Sequence, residues 1–91
     1  MKAQEAEQVV TVRFRNKRAT STAFCLEPWG DVYDMPPGTE FEAVARGPQG
    51  GALTVDLTDD HLVLWNWEGS VVVVYDHGAP LGPTEETRWR V

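Results

Sequence analysis

Apolar and polar residues alternate along most of this chain with a period of two. From Gln8 to Arg15, Val10, Val12 and Phe14 share one side, while Thr11, Arg13 and Arg15 share the other. Successive side chains of a strand point to opposite faces, so the pattern predicts a half-buried β-strand. After a polar turn at Asn16-Lys17-Arg18, a second strand runs from Ala19 to Leu26 with Thr20, Thr22, Phe24 and Leu26 on one face. Two such segments joined by a short turn predict an antiparallel hairpin. Pro28 cannot donate to a ladder and Gly30 admits angles that other residues avoid, so Pro28-Trp29-Gly30 predicts a corner.

Asp31 to Met35 is the next extended piece, with Tyr33 and Met35 opposed to Val32 and Asp34. Pro36-Pro37-Gly38 stops it in a tight turn. From Thr39 to Arg46, Phe41, Ala43 and Ala45 oppose Glu40, Glu42 and Arg46; from Ala52 to Leu57, Leu53, Val55 and Leu57 oppose Thr54 and Asp56. His61 to Trp67 and Ser70 to Tyr75 read as a hairpin closed at Glu68-Gly69. A two-residue turn there sets Trp65 opposite Val72 and Leu64 opposite Val73. Both faces of that hairpin are apolar, so it predicts a central position, or cover from the tail or a partner.

Six to seven short strands, frequent turn signals and no helix of normal length define the fold class. The prediction is all-β: a small antiparallel β-sandwich or partly open barrel. Residues 1–7 are expected to be a flexible N-terminus and 8–79 a single β domain. Residues 80–91 are expected to be a linker and tail docked through Trp89.

The run Leu26-Glu27-Pro28-Trp29-Gly30, then Tyr33, then Pro36-Pro37-Gly38-Thr39, resembles a pattern in short bacterial all-β proteins. In those an N-terminal strand leads to a Glu-Pro-Trp-Gly corner and a Pro-Gly turn. The resemblance extends weakly into the segment from Trp65 to Val74. It implies the β fold and a bacterial or phage setting, and it implies no activity.

Charge narrows the function classes. The 91 residues carry 14 acids against 8 Lys and Arg, a net charge of −6. Neutralising phosphates needs a positive field, which argues against a nucleic-acid partner. The lone Cys25 cannot form an intramolecular disulfide. No apolar leader and no apolar run of roughly 20 residues is visible, so no membrane partner is expected and the cytoplasm is the default location.

Chemistry-bearing residues are sparse. Cys25, Met35, His61 and His77 nominally supply a cupredoxin-like ligand set, but their order along the chain does not suit one. No paired Cys or His spacing suggests zinc, and no glycine-rich loop precedes a lysine. Acidic pairs such as Asp31/Asp34 and Asp59/Asp60 read as solvated faces. No metal, cofactor or catalytic residue is predicted, and an enzyme is not expected.

Two groups stand out. Arg13, Arg15, Lys17 and Arg18 hold half the positive charge and form a candidate anion patch, with cross-strand pairing to Glu40 and Glu42, or a solvated edge that discourages aggregation, favoured instead. Trp65 and Trp67 lie two apart on one predicted strand, which projects both rings from one face roughly 7 Å apart. Such a platform suits a protein interface, a small ligand or a sugar, whereas the competing reading, favoured for Trp65, packs it on Trp29 or Trp89 inside the core. Trp29 at the corner, with Tyr33 and Asp34 between the two turns, completes the candidate contact residues. The expected function is a non-catalytic interaction module that binds a protein or self-associates as a homodimer, with small-ligand or carbohydrate binding as the alternative. Trp29 is expected to plug the core, and Trp67 to be dispensable for folding.

Overall fold

In the computed structural model, residues 6–84 and 86–88 are described. Their alternating segments become eight strands: β1 (Glu7–Arg15), β2 (Thr22–Glu27), β3 (Asp31–Met35), β4 (Glu40–Pro48), β5 (Thr54–Leu57), β6 (His61–Trp65), β7 (Val71–Asp76) and β8 (Ala79–Pro80). They form two four-stranded sheets, in the orders β1-β4-β7-β8 and β3-β2-β6-β5. The sheets are not closed into a barrel, and the eighth strand, beyond the expected six to seven, is the two-residue β8. His77 and Gly78 both take positive φ in the two-residue loop before it, as a tight turn matched to strand twist requires.

Each sheet turns its apolar positions inward. Phe24 lies fully buried at the centre, edge-on to Phe14 at 5.3 Å and to Phe41 at 5.6 Å between ring centroids. Leu26 and Leu64 from one sheet meet Ala43, Ala45, Val72 and Val74 from the other. Full burial of a Phe or Leu side chain contributes roughly 1.5–3 kcal/mol, so this small cluster carries much of the stability. Ala43 and Ala45 leave room for the larger rings opposite.

Both predicted hairpins are corrected. The β1 edge pairs with β4, whereas β2 belongs to the other sheet and pairs with β3 and β6. Residues 16–21 are therefore a link between layers. Asn16 sets that link: it is buried, and its amide donates to the carbonyl oxygens of Met35 at 2.7 Å and Thr20 at 2.9 Å. Its own carbonyl accepts from Gly38 N–H, and its N–H donates to Thr39 O.

The segments on either side of Glu68-Gly69 likewise part company. The turn exists, with Ser70 N–H donating to Trp67 O at 2.9 Å. However, β6 pairs with β2 and β5, and β7 pairs with β4 and β8. Trp65 faces Thr54 and Glu27 rather than Val72. Two apolar-faced strands are covered better as interior strands of two stacked sheets than as one ribbon. The β2–β6 pair is parallel, so the sandwich is not purely antiparallel.

Beyond β8, Leu81 packs against the core and Arg88 is buried. Trp89, on which docking of the tail was expected to rest, lies outside the described residues, as do residues 1–5. Among the described residues, no helix is long and apolar enough to cross a membrane.

Candidate interaction face

The outer face of the β3-β2-β6-β5 sheet is built by register. Side chains that are partners across strands share a face, so Val32, Cys25, Val63 and Asp56 form one row across it. Glu27, Trp65 and Thr54 form the next row, and Asp34, Ala23 and His61 the row on the other side. The middle of this face is apolar and open: Val32 is 63% exposed and Trp65 is 40% exposed. Cys25 and Val63 between them are half-buried. Carboxylates of Glu27, Asp34 and Asp56 ring it.

Trp65 is held in place. Its indole N–H donates to Asp56 Oδ2 at 2.9 Å, and the side chain stands on the outer face rather than in the core. Asp56 sits diagonally across the strand pair, the distance an indole spans. Sequence alternation alone gave no hint of this bond.

Trp67 does not join it, which removes the two-ring platform. The strand ends at Trp65, and the following residues turn toward the other sheet. Trp67 is 9% exposed and part of the core. Its backbone N–H donates to Ser70 Oγ at 3.0 Å, and its indole N–H donates to Pro48 O at 2.9 Å. Gly51 packs so closely on the indole that any Cβ there would collide with it.

Trp29 and Tyr33 also serve architecture. Trp29 is half-buried, and the Arg88 guanidinium carbon lies 4.5 Å from its ring centroid. Arg88, whose side chain is 2% exposed, pairs with Asp31 at 2.6 Å. Tyr33 turns inward, and its hydroxyl lies against Gly82. Burial, and next the Asp31 carboxylate, push its phenol above the ordinary range. Of the candidates Trp29, Tyr33 and Asp34, Asp34 alone belongs to the exposed face.

Of the four basic residues, Arg13 stands apart from the cleft that the other three line. Arg13 and Arg15 pair across the strands with Glu42 at 3.4 Å and Glu40 at 2.5 Å, as the charge pattern predicted. Arg18 donates to the backbone oxygen of Asp59, and Lys17 has no partner among the described residues. Arg15, Lys17, Arg18 and His61 line a cleft of about 140 Å³ together with Met35, Leu57 and Leu62.

The nominal metal ligands lie apart. Met35 is in the core, His77 is at the tip of the β7–β8 turn, and Cys25 and His61 lie on the opposite sheet's outer face. Among the described residues, no three His, Cys, Asp or Glu side chains group as a metal would need. Burial, and then the Glu27 charge, push the Cys25 thiol upward, which works against a thiolate.

Compared with known proteins, the chain matches no family model, no curated protein and no solved structure.

Proposed function

We propose that this domain is a non-catalytic protein-interaction module whose contact face is the outer surface of the β3-β2-β6-β5 sheet. The observation that carries this is the apolar row from exposed Val32 through half-buried Cys25 and Val63, flanked by the exposed Trp65 indole that Asp56 fastens. A rigid aromatic anchor in an apolar centre with a polar rim is how protein interfaces are built. The rim here is acidic, so the partner it fits is a protein with an apolar patch edged by Lys and Arg. The small-ligand alternative keeps one ring of its expected two, and that ring's N–H is already bonded.

Variants on this face test the proposal. Val32→Lys with Trp65→Ser leaves the core intact and the melting temperature close to that of the original chain. Affinity capture with the unaltered chain is expected to yield a specific protein that the double variant does not retain. Equal recovery by both would overturn the assignment. A Trp65 emission shift with simple sugars and no protein capture would replace it with the ligand alternative.

A further inference from the structure

We infer that two copies of this chain join along β1, antiparallel, about a two-fold axis through Thr11. This deepens the interaction-module proposal by giving self-association its own surface, and it stands apart from the Trp65 face.

The two edges of the β1-β4-β7-β8 sheet are unlike. The β8 edge is two residues long and includes Pro80, which has no N–H to offer. The β1 edge is nine residues long and pairs, among the described residues, with β4 alone. It carries no proline and no inward charge: Gln8, Val10, Val12 and Phe14 point toward the core. A long β-branched edge of this kind is a template for another strand.

Its charge pattern is self-complementary. Thr11 is the middle residue of β1. An axis there is the register that pairs the whole strand, and it sets Glu7 of each copy opposite Arg15 of the other. Arg13 comes opposite Val9, and Val10 opposite Val12. Within each copy Arg15 already bonds Glu40 and Glu7 already lies 3.8 Å from Arg46, so the crossed Glu7–Arg15 contact joins these pairs into one alternating cluster and keeps like charges apart.

The neighbouring sheet supplies an independent reason. Val55 and Leu57 of β5 share the inward face with Leu64 and Leu62, yet they are 41% and 73% exposed. The facing sheet stops short beneath them. That flank is the β1 side: Gln8 is hydrogen-bonded to Gly50 and Gly51 just before β5, and Arg15 and Leu57 line the same cleft. An axis at the β1 edge sets this flank of one copy against the same flank of the other, since Val10 of each copy already packs on its own core.

The full chain is tested first by light scattering over a graded concentration series, where the mass should climb from 10.2 kDa toward twice that value. Register is tested in a Cys25→Ser background with oxidised glutathione as oxidant. Thr11→Cys places its two thiols across the axis, where strand-partner Cα atoms lie about 4.5–5.5 Å apart and a disulfide closes. Val9→Cys places them four residues out of step, roughly 13 Å apart, beyond disulfide reach. Both positions are exposed, so both variants fold. Thr11→Cys should link rapidly and Val9→Cys should not. Glu7→Arg, which turns two attractive contacts repulsive, should weaken the dimer roughly tenfold. A mass that stays monomeric, equal linking by the two cysteine variants, or an unmoved Glu7→Arg dimer overturns the inference. None of these substitutions touches the Trp65 face, so loss of the dimer and loss of partner capture are read separately.

Discussion

The indole N–H of Trp67 donates to the carbonyl oxygen of Pro48 at 2.9 Å, fastening the crossover between the sheets to the end of β4. That bond, with the packing around it, moves Trp67 from surface to core. Trp67→Ala is expected to cost about 3–5 kcal/mol, the range for losing a large buried aromatic. Trp67→Phe keeps much of the area but leaves the Pro48 oxygen without its donor, a loss of about 1–3 kcal/mol. Urea unfolding curves check both. If Trp67→Ala were neutral, the core assignment would fail.

Asn16 is the second internal fastener. Its amide serves two carbonyls, Met35 O and Thr20 O, and its side-chain oxygen accepts from Arg18 N–H at 2.9 Å. Asn16→Ala leaves these groups unpaired where water reaches poorly and should cost about 2–3 kcal/mol. Asn16→Asp should be no milder, because a carboxylate facing two carbonyl oxygens repels them. Thermal melts distinguish this from an ordinary turn position, where either change would be nearly silent.

The Arg15–Glu40 pair has a pH signature. The Arg15 guanidinium, mainly by its hydrogen bond, holds the Glu40 carboxyl below the ordinary carboxylate range. A depressed folded value means the pair's contribution is present above the unfolded carboxyl's titration and is lost as pH falls through the folded one. Carboxyl carbon NMR should show Glu40 titrating below ordinary glutamates, and Arg15→Gln should return it upward. The pair is fully solvated, so the melting temperature should scarcely move.

Cys25 should react slowly. Its thiol is raised first by burial and then by the Glu27 carboxylate, so its thiolate fraction near neutral pH is small. Alkylation at pH 7 should be slower than for a free thiol, and Glu27→Gln should speed it. A rate above that of a free thiol would contradict the environment described for this face.

Much of the layering was legible because strand alternation is a local property. Val10, Val12 and Phe14 on β1, and Phe41, Ala43 and Ala45 on β4, point where their spacing says they should. That the basic side of β1 would meet Glu40 and Glu42 was legible in the charges, but which arginine meets which glutamate depends on the β1–β4 register. Pairing between strands was not legible, because it is not local. A short polar turn at Asn16-Lys17-Arg18 or at Glu68-Gly69 serves a hairpin and a crossover equally well; which one forms is decided by which apolar faces stack. The Trp65/Trp67 platform failed for a related reason. A period of two holds only while the strand continues, and Ser70 and Pro48 draw Trp67 out of line two residues after β6 ends. The bond from Trp65 to Asp56 was out of reach as well, since it depends on β5 and β6 pairing in one register.

The contact face is tested most directly by photo-crosslinking from Val32. With a benzophenone side chain at that position, irradiation in native lysate should join the chain to one protein, and the same probe at exposed Gln49 should not. Adding Trp65→Ser should abolish the Val32 adduct while the chain stays folded. Equal capture from both positions, or no capture from Val32, would contradict the assignment of this face as the place where the domain meets its partner.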